Sequence, residues 1–73
     1  MKEKVINQVK KFRLEQGLTQ EELAKKVGVS RQSIISIEQG RYIPSLPLAL
    51  KLSKLFQCPT DEIFQLREEI KNG

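Results

Sequence analysis

"TQEELAKKVGVSRQSIISIEQG", Thr19–Gly40, contains two helix starts and two helix stops in one short window. Thr19 followed three residues later by Glu22 is a capping box, in which each side chain accepts a backbone N–H of the other. Glu21 and Glu22 also stand at the positive end of the helix dipole. This predicts a helix over about Gln20–Val27, with Leu23, Ala24 and Val27 facing inward. Gly28 stops it, Ser30 caps a second helix over about Arg31–Gln39, and Gly40 stops that one.

Two helices joined by a three-residue turn cross at close to a right angle. A close crossing needs a small side chain at the contact, which Ala24 supplies. The turn needs a residue of positive φ, which Gly28 tolerates and a larger residue resists by about 1–2 kcal/mol. Ile34 and Ile37 then lock the second helix onto Leu23, Ala24 and Val27, completing a helix-turn-helix. The opposite side of that helix holds Gln32, Ile35, Ser36 and Gln39, with Arg31 at its flank. Such a face discriminates: Arg31 can donate two parallel hydrogen bonds to guanine O6 and N7, and Gln32 can pair with adenine N6 and N7. Each such contact distinguishes bases by about 1–3 kcal/mol.

Outside this window the apolar residues also recur at helical spacing, and no stretch alternates long enough to predict a strand. Val5, Val9 and Phe12, with Ile6 beside them, predict a first helix over about Lys2–Gln16, ended by Gly17. "RYIPS" is a loop, Ser45 caps the next helix, and Pro47 falls in its first turn, where the missing N–H costs little. This helix, over about Leu46–Phe56, is apolar on most sides, as expected of one central to a bundle. After "QCPT", Ile63, Leu66 and Ile70 form a stripe that predicts a last helix over about Asp61–Ile70. The fold expected is therefore all-α, a compact arrangement of five helices in one domain, 1–73.

The 73 residues lie near the lower limit for a core without staples. Cys58 is the sole cysteine and histidine is absent, so no disulfide forms within the chain and a zinc site is excluded. A lone thiol, no apolar leader and no run of about 20 apolar residues imply a cytoplasmic protein without a membrane span. Net charge is +4. Residues 1–16 carry +3 of it, from Lys2, Lys4, Lys10, Lys11 and Arg13 against Glu3 and Glu15. That balance favours an anionic partner. No nucleophile stands with a plausible base, and no phosphate-binding glycine loop or metal cluster is found. An enzyme, a cofactor and a small-molecule substrate are thereby discounted.

"LTQEELAKKVGVSRQSIISIEQGRYIPSL" resembles the helix-turn-helix core of the Cro/cI phage-repressor family, also called the XRE family of transcriptional regulators. The likeness spans roughly residues 4–66, leaving 67–73 as a short helical extension. It implies a five-helix domain, prokaryotic or phage-encoded, that places its second motif helix in the major groove of double-stranded DNA. Position by position, it implies that Arg31, Gln32, Ser36 and Ile35 meet base edges. Gln20 would contact a phosphate and brace the start of the second motif helix, while Ser30, Arg41 and Tyr42 would touch the backbone. Arg13 and Glu38 match a structural ion pair. Family dimers read two half-sites, so a homodimer on a pseudo-palindromic site is expected, with Leu66 and Ile70 as a possible dimer surface. Two departures stand out: Ile35 is apolar where the family is often polar, and Pro59 replaces a common serine cap, leaving that role to Thr60. Ile35 also suits a protein partner, a toxin or a sensor, in the manner of an antitoxin or adaptor.

Overall fold

Local caps place most of the helices, and one long-range pairing overrides the pattern at both ends of the chain. The computed structural model describes residues 2–69. In chain order the elements are β1 (Lys2–Asn7), α1 (Val9–Glu15), α2 (Gln20–Val27), α3 (Arg31–Glu38), α4 (Leu46–Phe56), α5 (Thr60–Ile63) and β2 (Phe64–Glu69). The caps behave as their chemistry dictates. Thr19 Oγ1 accepts from Glu22 N–H at 3.0 Å and Thr19 N–H donates to Glu22 Oε1 at 2.8 Å. Ser30 Oγ accepts from Ser33 N–H at 3.1 Å, and Ser45 Oγ from Leu48 N–H at 3.3 Å.

The helices enclose a core of Val9, Leu23, Ala24, Val27, Ile34, Ile37, Leu48, Leu52, Phe56 and Ile63. Phe12 stacks on Phe56 with ring centroids 5.5 Å apart, which joins α1 to α4. The α4 helix is less central than its composition implies. It buries Leu48, Leu52 and Phe56 along one stripe and leaves Leu46 and Leu50 exposed at 68 % and 53 %.

The all-α expectation is corrected at both ends. β1 and β2 pair antiparallel, with Val5 opposite Leu66 and Asn7 opposite Phe64. The first helix therefore starts at Val9 rather than near Lys2. Asn7 Oδ1 accepts the Val9 N–H at 3.1 Å, and the Gln8 N–H donates to Ile63 O at 2.7 Å. Those donors find partners outside any longer helix, and the β-branched pair Val5–Ile6 suits an extended ribbon. At the other end only Thr60–Ile63 is helical, and Phe64 is already extended at φ −124°, ψ 132°. Phe64, Gln65, Leu66 and Arg67 alternate apolar and polar, a four-residue signal of the strand that forms.

Of the predicted stripe, Ile63 is fully buried, Leu66 sits on the ribbon, and Ile70 lies outside the described residues. The helical extension expected over 67–73 is strand as far as Glu69, and the remainder lies outside the described residues. Thr60 does not cap α5. It is the first helical residue, and Pro59 occupies the cap position without a side-chain bond. Among the described residues no helix is long and apolar enough to cross a membrane.

Gly28 adopts φ 75°, ψ 34°, and the Val29 N–H reaches back to Ala24 O at 3.0 Å. A Cβ built there would meet only Lys51 Nζ at 3.9 Å, so the constraint is the backbone angle and not crowding. Gly28→Ala is expected to destabilise by about 1–2 kcal/mol, seen as a lower urea midpoint at unchanged slope. The bonds to Thr19 hold the Glu22 carboxyl below its ordinary pKa, the Thr19 backbone N–H first and its hydroxyl second. The stabilisation from a depressed carboxyl is complete above the ordinary carboxylate range and lost as pH falls through the folded-state value. Glu22→Ala should therefore lower the urea midpoint at neutral pH, with the gap to the parent narrowing in acid.

Candidate nucleic-acid interface

The geometry begins behind α3, where a buried clamp fixes its last turn. Arg13 is only 7 % exposed. Its guanidinium donates from Nε to Glu38 Oε2 at 2.7 Å, from Nη2 to Glu38 Oε1 at 3.3 Å and from Nη1 to Leu18 O at 2.8 Å. The fork–carboxylate match gives direction as well as attraction. Gln20 Nε2 adds a third donor to Glu38, at 3.1 Å from Oε1. The family resemblance implied that Gln20 braces the start of α3. In the structure its amide bonds instead to the far end of that helix, because Glu38 is the acceptor within reach.

A second tie was not foreseen. Asn7 Nδ2 donates to Ile37 O at 2.8 Å while its Oδ1 holds the Val9 N–H. One side chain thus links the end of β1, the start of α1 and the last turn of α3. The available signal was an asparagine after Val5–Ile6 and two residues before a helix, where its amide can replace backbone partners.

With its rear fixed, α3 turns Ile34 and Ile37 into the core and leaves Arg31, Gln32 and Gln39 exposed; Ile35 and Ser36 are half-buried. Ser30, Gln32, Ser33, Ser36 and Tyr42 line one shallow polar hollow of about 250 Å³. Arg13, Thr19, Gln20, Glu21 and Arg31 line a second, so Arg31 and Gln20 share a surface at the N-terminal ends of α2 and α3. Arg41 is exposed, its N–H held by Ser36 O at 2.9 Å. Ile35 lines neither hollow. Among the described residues the side chains of Arg31, Gln32 and Ser36 form no internal hydrogen bond, so their donors and acceptors face solvent. The Cys58 thiol is pushed up by burial and by nearby Glu62, opposite to an activated thiolate.

The α2–α3 pair with its left-handed Gly28 turn matches what comparison with known proteins finds. The family model described as "Helix-turn-helix" matches residues 9–63. The chain belongs to the XRE family of helix-turn-helix transcriptional regulators.

An uncharacterized HTH-type transcriptional regulator of Methanocaldococcus jannaschii is 55 % identical over 58 residues, 80 % of this XRE-family chain and 88 % of the relative. The CTXphi transcriptional repressor RstR of Vibrio cholerae is 32 % identical over 57 residues, covering 78 % of this chain and 51 % of RstR. Among solved structures, the restriction-modification controller protein C.AhdI of Aeromonas hydrophila superposes with a TM-score of 0.69 at 31 % identity. That match covers 75 % of this chain and 83 % of C.AhdI.

Breaking the clamp of this XRE-family member from one side leaves a charge buried without its partner. Glu38→Ala should destabilise by about 3–5 kcal/mol, and Asn7→Ala by about 1–3 kcal/mol. Urea unfolding followed by circular dichroism measures both.

Proposed function

We propose that the chain is a sequence-specific, non-catalytic regulator that binds double-stranded DNA with α3 in the major groove. The observation that carries this reading is the solvent-facing set Arg31, Gln32 and Ser36 on a helix anchored from behind by Arg13, Glu38 and Asn7. In it Arg31 and Gln32 hydrogen-bond base edges, Ser36 adds a contact one turn on, and Ile35 meets a thymine methyl. Gln20, Ser30, Arg41 and Tyr42 lie along the margins of this face and position the protein on phosphates. Gln20 has one amide hydrogen left for that task after bonding Glu38.

The protein acts as a homodimer on a pseudo-palindromic site, its half-sites about one helical turn, ~34 Å, apart. Repression fits best: RstR is a repressor, and a small chain seated on an operator suffices to exclude other proteins. Gel shifts on a site selected from random DNA, against scrambled DNA across a salt series, test the reading. Arg31→Ala should lose about 1–3 kcal/mol at one base position, roughly 5–150-fold. Arg41→Ala should weaken all sequences alike and flatten the salt slope by about one. Equal affinity for selected and scrambled DNA at every salt concentration would overturn it.

A further inference from the structure

The last turn of α3 is held by bonds of two kinds. Arg13 and Gln20 hold the Glu38 carboxylate, which sits at the end of a side chain with torsions of its own. Asn7 holds the main chain itself, its Nδ2 donating to Ile37 O at 2.8 Å. That oxygen is not short of a partner. The Gly40 N–H already reaches it at 2.9 Å, and a carbonyl accepts two hydrogen bonds. The Asn7 bond therefore rescues no orphaned acceptor, and what it adds is placement. No basic residue stands in the last turn of α3 to take over that role.

The amide is bound at both ends. Asn7 Oδ1 accepts the Val9 N–H at 3.1 Å, so one partner needs the oxygen and the other needs the nitrogen. A carboxylate of the same shape accepts but does not donate. The ribbon decides where this amide stands, because Asn7 ends β1 opposite Phe64 and the Gln8 N–H donates to Ile63 O at 2.7 Å. Both extremities of the chain thus act on α3 through one side chain.

We propose that Asn7 is a positioning residue for DNA recognition, setting the tilt of α3 and with it the reach of Ser36, while acting little on Arg31 and Gln32. The proposal rests on the DNA-binding reading above. The start of α3 is fixed by the Gly28 turn and the Ser30 cap, so the freedom left to the helix is a swing of its far end. Ser36 stands about 7.5 Å further along the axis than Arg31. A tilt of about 10° then moves Ser36 by ~1.3 Å, beyond the spread of about 0.5 Å that N–H···O distances allow. Arg31 stands at the pivot and barely moves. The clamp on Glu38 resists rotation about the helix axis, and the Asn7 bond to the main chain resists this swing.

Asn7→Asp is the discriminating variant, since it keeps the acceptor for Val9 and removes the donor to Ile37. Gel shifts are run on a site selected from random DNA and on every single base-pair change within it. Ser36→Ala and Arg31→Ala mark the base positions that each side chain reads. At the Ser36 position the parent should prefer its base by about 5-fold, the equivalent of one ordinary hydrogen bond. Asn7→Asp should abolish that preference as fully as Ser36→Ala does and keep the parent's preference at the Arg31 position. Leu52→Val, a buried change on α4, lowers stability without touching this bond and should keep both preferences. Asn7→Ser, whose hydroxyl reaches Val9 but not Ile37, replaces Asn7→Asp if circular dichroism shows the latter unfolded. Amide exchange read without DNA should quicken at Gly40 and Arg41 in the variant and stay unchanged at Ser33 and Ile34. An unchanged preference at the Ser36 position overturns the proposal, as does an equal loss at every position or a Ser36→Ala variant that alters none. A parent that discriminates while Asn7→Asp matches it throughout defeats this inference alone. A parent that binds selected and scrambled DNA equally defeats the DNA reading itself.

Discussion

The two-pronged pair between Arg13 and Glu38 is the constraint on which the remainder turns. It joins α1 to the last turn of α3 through charge-assisted bonds shielded from water, and Gln20 draws the start of α2 to the same carboxylate. A buried ion pair contributes little net stability relative to an apolar replacement. Its contribution here is direction. The apolar contacts of Ile34 and Ile37 would tolerate small rotations of α3, whereas a guanidinium fork meeting a carboxylate would not. An acid so close to a polyanion-facing surface is tolerated because three donors already surround it.

The helix-turn-helix was legible because its determinants are local. The Thr19–Glu22 box, the left-handed Gly28, the Ser30 cap and the spacing of Ile34 and Ile37 each act within a few residues. The bounds of α2 and α4 agree with those such signals predict. The ends of the chain were misread because what decides them is remote. Val5, Val9 and Phe12 at one end and Ile63, Leu66 and Ile70 at the other satisfy a helical period. The hydrogen bonds that replace it come from the opposite end of the chain. Periodicity in a short window does not reveal such a partner.

The interface divides along the same line. Side chains on α3 were legible once the buried face was known, since a helix has only one other side. The bond from Gln20 to Glu38 was not foreseen and Asn7 was missed altogether, because both depend on which atoms of a distant helix end come within 3.1 Å. Val5, Leu46 and Phe64 line one open apolar groove although they come from three separated parts of the chain, so it too is invisible until they assemble.

Pairing β1 with β2 has a kinetic corollary. Joining strands from the two extremities closes a loop of nearly the whole polypeptide, an entropic cost that local caps and turns do not bear. The helical centre can consolidate while the extremities still wander, and the ribbon then zips last. Part of the apolar groove lined by Val5, Leu46 and Phe64, between the ribbon and the start of α4, exists only after that step. Closure of the ribbon would then be the slowest step of folding, governed by the length of chain between its strands rather than by the sequence of either.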